Sequence, residues 1–183
     1  MFAFLYAATL YCAVIDRKTF FTNWREFWRW EEVSIKNMIP MLLRWVVAMI
    51  FVIGFMYVYD PERLFFLPQH NPEIIWRIMI FYPIFSALPQ EYVFCRFIFE
   101  RYKIFFGEKY LMIFVSALIF AIAHILFINW VAPLFGFLAG VIFAHTYWKT
   151  KSLALVTIEH ALYGNAIFVI GMGWYFYAGA IGS

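Results

Sequence analysis

The chain has 183 residues, of which 66% are hydrophobic and 24% aromatic, and its formal net charge is +3. This apolar content exceeds the roughly 45–50% of a soluble domain. Because the apolar residues also occur in long runs, the composition excludes an ordinary water-soluble domain. The small charge, with basic residues placed between the apolar runs, argues against a nucleic-acid partner.

The first apolar run extends from Met1 to Ile15. The run has no basic residues before it and no small-residue cleavage site after it, so we do not interpret it as a cleaved signal peptide. We interpret it as a short first membrane helix. With about 15 residues it is shorter than the roughly 20 that a bilayer requires, so an interfacial segment or the tail of a longer helix also fits.

The next segment, from Phe20 to Trp30, mixes six aromatic residues with Arg25 and Arg29. Aromatic and basic side chains together are typical of a helix that lies in the headgroup region. We therefore predict an interfacial helix here, and we interpret it as an anchor rather than as a ledge on which substrate docks.

Five longer apolar stretches follow the interfacial segment, and each reaches or nearly reaches the length of a membrane span. They are Met38–Tyr59, Ile74–Phe99, Leu111–Phe127, Val131–Trp148 and Leu153–Tyr177. With the first run they predict an all-α, polytopic transmembrane helix bundle of about six membrane helices plus an interfacial amphipathic helix. Since the sequence contains no internal repeat, linker or low-complexity tract, we predict one integral membrane domain over residues 1–183.

Basic residues are concentrated in alternate loops of this arrangement. The first, third and fifth loops contain Arg17, Lys18, Arg25, Arg29 and Lys36, then Arg101, Lys103 and Lys109, then Lys149 and Lys151. By the positive-inside rule these odd loops are cytoplasmic. The short loops favour a bacterial inner (cell) membrane protein.

Several polar residues lie within the spans, where an ionisable group costs roughly 2.5–3.5 kcal/mol at helix-centre depth. They are Glu91 and Arg96 in the third span, His124 in the fourth, and Glu159, His160 and Asn165 in the sixth. Arg44 and His145 are closer to span ends, and we interpret them as snorkelling or interfacial residues. The remaining acid and imidazole groups indicate a functional site inside the membrane, centred on Glu91, His124 and His160.

Three motifs carry these residues in order along the later spans. They are Pro89-Gln90-Glu91-Tyr92-Val93-Phe94-Cys95-Arg96, Phe120-Ala-Ile-Ala-His124 and Glu159-His160-Ala-Leu-Tyr-Gly-Asn165. Together they resemble the signature of the CAAX protease and bacteriocin-processing (CPBP or Abi) family, intramembrane proteases related to the type II CAAX prenyl protease. The family pattern is Glu-Glu-x-x-x-Arg, then Phe-x-x-x-His, then His-x-x-x-Asn, and the resemblance covers a motif-bearing core of about residues 83–176.

The chain departs from this pattern at two places. In one register Gln90 and Glu91 match the acidic pair, and in the other Glu91 and Tyr92 do so and Arg96 keeps its place. Glu91 is the only carboxylate of the motif in both registers. In the last motif the fourth position after His160 is Gly164, and Asn165 follows about 100° further round the helix.

The resemblance implies a membrane-embedded peptidase, a hydrolase that acts on peptide bonds. Such a reaction requires a base for water and donors for the oxyanion. We assign Glu91 as the base, and His124 and His160 as oxyanion donors or as ligands of a divalent metal such as Zn²⁺. Our first choice is a site that requires no cofactor, with no metal ligand firmly assigned. The supporting residues are Gln90, Arg96, Phe120, Glu159 and Asn165, with Phe120 packing His124 into place.

The expected substrate is a membrane-associated peptide or protein, and a prenylated CAAX tail, a bacteriocin leader and a general membrane peptide all fit. The expected partners are this substrate and the lipid bilayer. The alternative function is a catalytically inactive family member that acts as a membrane scaffold or immunity-type protein. The altered acidic motif favours this alternative, whereas the retention of Glu91, His124 and His160 favours the enzyme because unused polar groups are costly in lipid.

Overall fold

The computed structural model describes residues 2–17, 23–107 and 109–177. Within these ranges every regular element is a helix. The helices are α1 (Phe2–Ile15), α2 (Trp24–Trp28), α3 (Ile35–Tyr59), α4 (Phe66–His70), α5 (Pro72–Phe106), α6 (Tyr110–His124), α7 (Val131–Thr150) and α8 (Leu153–Ile170). Short 3-10 turns lie at Trp30–Glu32, Pro61–Arg63, Ile125–Phe127 and Met172–Phe176.

Five of these helices are long and apolar enough to cross a membrane: α3, α5, α6 with the turn that extends it to Phe127, α7 and α8. The chain is therefore an integral membrane protein with an all-α bundle, as its hydropathy predicts. The first run forms α1, which has 14 residues and is shorter than a span. Of the predicted interfacial helix, Phe20 and Phe21 lie outside the described residues, and the part that is described forms α2.

Helix α8 lies at the centre of the bundle, in contact with α3, α5 and α7. Helices α6 and α7 form a close pair, in which a Cβ on Gly140 would lie 3.0 Å from the Ala117 Cα. Small residues permit such close approach of membrane helices, whose association depends on van der Waals packing. The core thus brings α5, α6 and α8, the helices that carry the three motifs, into one bundle.

Helix α8 ends at Ile170, seven residues before the predicted end of its span at Tyr177. Gly171 follows in the left-handed conformation with φ +109°, and a Cβ on it would lie 1.9 Å from the Arg63 carbonyl oxygen. The Phe65 N–H donates to the Ile170 carbonyl at 2.8 Å. Glycine stops the helix here because only glycine fits both this backbone conformation and this close approach.

Helix α5 is longer than predicted, reaching Phe106, and it is irregular. Two π-helical turns, Pro83–Ala87 and Tyr92–Phe97, flank the single α-helical turn Leu88–Glu91. Pro83 and Pro89 have no backbone N–H to donate to the preceding turn. Such wide turns are frequent at functional sites, and here they lie on either side of Glu91.

Helix α2 docks on α5 through one aromatic residue. Phe27 is 2% exposed, and the Arg96 guanidinium lies 4.4 Å from the centroid of its ring. Arg96 Nη1 also donates to the Phe27 carbonyl at 3.4 Å. Arg96 therefore fastens the described part of the interfacial segment to the bundle.

Candidate functional site

Glu91 of α5 and His160 of α8 form the centre of the candidate site. Their side chains are fully buried or nearly so, and Glu91 Oε1 lies 2.6 Å from His160 Nδ1. Because α5 and α8 are far apart in sequence, this contact depends on the packing of the two helices. The carboxylate fixes the orientation of the imidazole, so that Nε2 points to the opposite side.

Tyr82 of α5 occupies that opposite side. Its hydroxyl oxygen lies 2.9 Å from His160 Nε2, and the two rings meet edge to face with centroids 5.8 Å apart. Helix α5 therefore supplies both ends of a hydrogen-bonded chain, Glu91–His160–Tyr82, and α8 supplies its middle. The sequence analysis did not single out Tyr82, which no motif marks among the 12 tyrosines of the chain.

His124 is the last residue of α6, at the point where the helix tightens into the turn Ile125–Phe127. Its Nδ1 lies 2.7 Å from the Phe120 carbonyl oxygen. Since a carbonyl only accepts, Nδ1 carries the proton, and Nε2 presents a lone pair when the ring is neutral. The centroid of the Phe120 ring lies 4.5 Å from that of His124 and 5.7 Å from that of His160, so Phe120 packs against both histidines.

Both histidines and Tyr82 face a cavity of about 650 Å³ between α3, α7 and α8. Most of its other walls are apolar, formed by residues that include Val47, Phe51, Phe135, Leu138, Phe143 and Ile167. Glu91 is fully buried and is not one of the described residues that line this cavity. The site therefore combines a large apolar chamber with a few convergent polar groups, as ligand and active sites commonly do.

The sequence-predicted supporting residues lie around the site, but Phe120 alone of the five lines the cavity described here. Gln90 donates to Ser86 Oγ at 2.8 Å, and Arg96 packs on α2. Asn165 Nδ2 donates to the Met79 carbonyl at 3.5 Å. The other four side chains thus lie within or between helices, outside the lining of this cavity.

Arg44 does not snorkel as its position near a span end suggests. Its Nη2 donates to Glu159 Oε1 at 2.9 Å and to Thr146 Oγ1 at 3.0 Å, and it lines the cavity. Glu159 is fully buried, so the guanidinium turns inward to compensate this charge. The ion pair could have been anticipated only by knowing that α3 packs on α8.

Gly164, at the position where the family pattern has asparagine, lies against the ring of Tyr82. A Cβ built on Gly164 would be 2.0 Å from a ring carbon and 2.4 Å from the hydroxyl oxygen of Tyr82. Residues four apart share a helix face, so Gly164 lies on the same face of α8 as His160. The phenol of Tyr82 therefore fills the space that a side chain at position 164 would occupy.

The donor set does not fit a zinc site. Across residues 2–17, 23–107 and 109–177, no three side chains of histidine, cysteine, aspartate or glutamate lie close enough together to hold a metal ion. An open zinc site requires three protein ligands. Both ring nitrogens of His160 are hydrogen-bonded, Nδ1 to Glu91 and Nε2 to Tyr82. Nδ1 of His124 is hydrogen-bonded to the Phe120 carbonyl.

A protein-family model matches part of the sequence. The family model described as type II CAAX prenyl endopeptidase Rce1-like matches residues 72–167, just over half of the chain. No curated protein and no solved structure matches the chain. The matched range begins at the start of α5 and ends within α8, so it contains every residue of the Glu91–His160–Tyr82 chain and also His124.

Proposed function

Because the chain belongs to the type II CAAX prenyl endopeptidase family, we propose that it is an intramembrane peptidase that hydrolyses a peptide bond in the cavity beside His124 and His160. One observation carries this proposal: Glu91 and His160 are paired at 2.6 Å, with His160 on the wall of an apolar cavity. A buried acid–imidazole pair that faces a ligand-sized cavity is typical of a catalytic site.

The water that attacks the peptide carbonyl is activated by His124. The Phe120 carbonyl holds the proton of this imidazole on Nδ1, so the lone pair of Nε2 is available on the cavity side. His124 takes one proton as the water oxygen bonds to the carbonyl carbon. The same imidazolium then gives that proton to the leaving amine as the carbon–nitrogen bond breaks, which is the dual role of a catalytic histidine.

Glu91 acts through His160 in this proposal, rather than on water directly as the sequence alone suggests. The reason is geometric, since the His160 imidazole lies between Glu91 and the cavity. When one proton is added to the Glu91 carboxylate and the neutral His160 imidazole, the pair is neutral overall. This avoids an uncompensated charge in the apolar interior. In that state His160 Nε2 carries a proton and donates it to the hydroxyl oxygen of Tyr82, 2.9 Å away.

The chemistry of the cavity favours an apolar, membrane-associated substrate. Its volume of about 650 Å³ lies in the usual range for ligand sites, and its walls are mainly aliphatic and aromatic. We propose a peptide or protein substrate held at the membrane, with or without a prenyl group. The short loops favour a bacterial inner-membrane protein, and the alternation of basic loops favours a cytoplasmic location for the odd loops.

Cleavage of fluorogenic peptides by the purified, detergent-solubilised protein tests this function. The peptide set includes a farnesylated CAAX peptide and its unmodified counterpart. We expect His124→Gln to lower kcat by about 10²–10⁴ because it removes the base. His145→Gln is the matched control, since His145 lies on α7 outside the cavity lining.

Addition of a chelator separates the two chemical versions of the site. We expect cleavage to continue at an unchanged rate, because the mechanism proposed here uses only protein side chains. Loss of activity with the chelator, restored by added Zn²⁺, would contradict it. A folded protein that cleaves no peptide of the set would instead favour the inactive scaffold or immunity-type role.

A further inference from the structure

Tyr82 separates two chambers of the protein. It lines the 650 Å³ cavity of the histidines and also a second cavity of about 530 Å³, whose walls include Arg63, Arg77 and Trp174. Its hydroxyl lies at the histidine side, 2.9 Å from His160 Nε2. The phenol is therefore a polar group at the reacting end of the first cavity.

The packing around Tyr82 holds its ring in one place. Gly164 leaves room on α8 that no other residue would leave, since a Cβ there would overlap the ring at 2.0 Å. On the same helix, Phe168 meets the ring edge to face, with centroids 5.7 Å apart. A hydroxyl on a ring held in this way is preorganised, which is the condition for strong electrostatic stabilisation of a transition state.

The hydrogen-bond chain decides which way the hydroxyl proton points. When Glu91 and His160 share one extra proton, His160 Nε2 donates to the Tyr82 oxygen. The hydroxyl proton of Tyr82 then points away from His160 Nε2, toward the cavity and its neighbour Ser86. Of the other polar groups on this wall, His124 presents a lone pair, and Arg44 already donates to Glu159 and Thr146.

We propose that the Tyr82 hydroxyl is the hydrogen-bond donor to the oxyanion that forms during peptide hydrolysis, and that Gly164 is required to admit it. This inference rests on the proposed peptidase function. In the addition step the carbonyl oxygen gains the negative charge, and the Tyr82 O–H donates to it while remaining covalently intact. When the amine leaves, the carbonyl re-forms and releases the Tyr82 hydroxyl, whose oxygen still accepts from His160 Nε2.

The test compares Tyr82→Phe with Tyr147→Phe. Phenylalanine at position 82 keeps the ring against Gly164 and removes only the hydroxyl. Tyr147 of α7 is the matched control, because its side chain is fully buried and lies outside the lining of this cavity. We expect Tyr82→Phe to lower kcat by about 10²–10³, the effect of one oxyanion donor, with KM changed by less than about threefold. Tyr147→Phe is expected to keep the wild-type kcat.

Inhibitor binding gives a second measurement that does not depend on turnover. A peptide phosphonamidate presents a tetrahedral, anionic centre like the intermediate. We expect Tyr82→Phe to weaken its binding by the same factor as kcat, since an analogue of the transition state reports the same interaction. The affinity for an uncleavable substrate-like peptide is expected to stay the same.

The outcomes distinguish this inference from the proposed function. If the intact protein cleaves peptide, His124→Gln does not, and Tyr82→Phe matches the intact protein in kcat and phosphonamidate affinity, the role of Tyr82 is refuted and the peptidase stands. Equal losses in Tyr82→Phe and Tyr147→Phe would also refute it, because the effect would then be one of packing. If the intact protein neither cleaves peptide nor binds the phosphonamidate, both the function and this inference fall.

Discussion

Arg44 of α3 and Glu159 of α8 form an ion pair of 2.9 Å at the position immediately before the His160 of the candidate site. Glu159 is fully buried, and Arg44 is its charged partner among the described residues. The pair therefore joins the outer helix α3 to the central helix α8. It fixes the depth of α8 relative to α3, and with it the height of His160 in the cavity.

Breaking this ion pair on one side is expected to destabilise the protein. Arg44→Met leaves a buried carboxylate without compensation, at a cost on the order of 2 kcal/mol because Arg44 is partly exposed. Glu159→Gln removes the opposite charge. We expect Arg44→Met combined with Glu159→Gln to be more stable than Arg44→Met alone. Thermal unfolding in one detergent measures all three variants, and strictly additive losses would show that the two side chains are not coupled.

Glu91→Gln is expected to lower kcat at least about 100-fold, because an amide cannot share a proton with His160. The hydrogen-bonding shape of the side chain is kept, so the folded structure is expected to persist. Gln90→Met is the control in the same helical turn, since Gln90 bonds Ser86 away from the cavity. Peptide cleavage per folded protein is the measurement. Full activity in Glu91→Gln would exclude the acid–imidazole pair from the mechanism.

Gly136→Ala tests how closely α7 packs on His124. A Cβ at position 136 would lie 3.2 Å from the His124 Cγ, tighter than ordinary van der Waals contact. We expect the imidazole to shift and kcat to fall roughly tenfold, because small misplacements of a catalytic group are costly. Gly54→Ala in α3 is the control, since a Cβ there would meet no atom within 4 Å. Wild-type kcat in Gly136→Ala would show that His124 tolerates displacement.

Tyr175 is expected to make stability fall at alkaline pH. Its hydroxyl donates to Asp60 Oδ2 at 2.5 Å, outside the spanning helices. Burial raises the pKa of Tyr175 above its usual value, and the hydrogen bond to the Asp60 carboxylate raises it further. A raised folded pKa gives stability that is present below the unfolded pKa of about 10 and is lost as pH rises above it.

Comparison of the intact protein with Tyr175→Phe between about pH 8 and 11 measures this effect. The variant cannot ionise at this position, so its unfolding temperature is expected to fall less steeply above about pH 10. Tyr177→Phe serves as the control for a neighbouring tyrosine. Parallel curves for the intact protein and Tyr175→Phe would show that the Asp60 contact carries no pH dependence.

The sequence was sufficient to predict where the membrane spans lie but not the residues at which they end. Hydropathy runs identify α3 and α5 to α8 because lipid requires about 20 apolar residues for each helix. The ends depend on local geometry that composition does not reveal. Gly171 ends α8 because of its approach to the Arg63 carbonyl, and this approach exists only in the folded bundle.

The candidate site was predictable to the level of residue types and motif order. His124 and His160 stand out because imidazoles are costly among apolar residues, and the structure places both on one cavity wall. The partnership of Glu91 with His160 required the crossing of α5 and α8. Tyr82 could not be found from sequence, because a tyrosine in an aromatic-rich span carries no cost that would mark it.

The π turn Pro83–Ala87 determines which face of α5 carries Tyr82. Tyr82 and Glu91 are nine positions apart, and in a regular α-helix this spacing places them about 180° apart around the axis. A π turn contains one additional residue, so the rotation about the helix axis from Tyr82 to Glu91 is about 100° smaller than in a regular α-helix. Both side chains can then reach the same imidazole. If the same residues instead formed a regular α-helix, the hydropathy of α5 would be unchanged, but Tyr82 would turn away from His160.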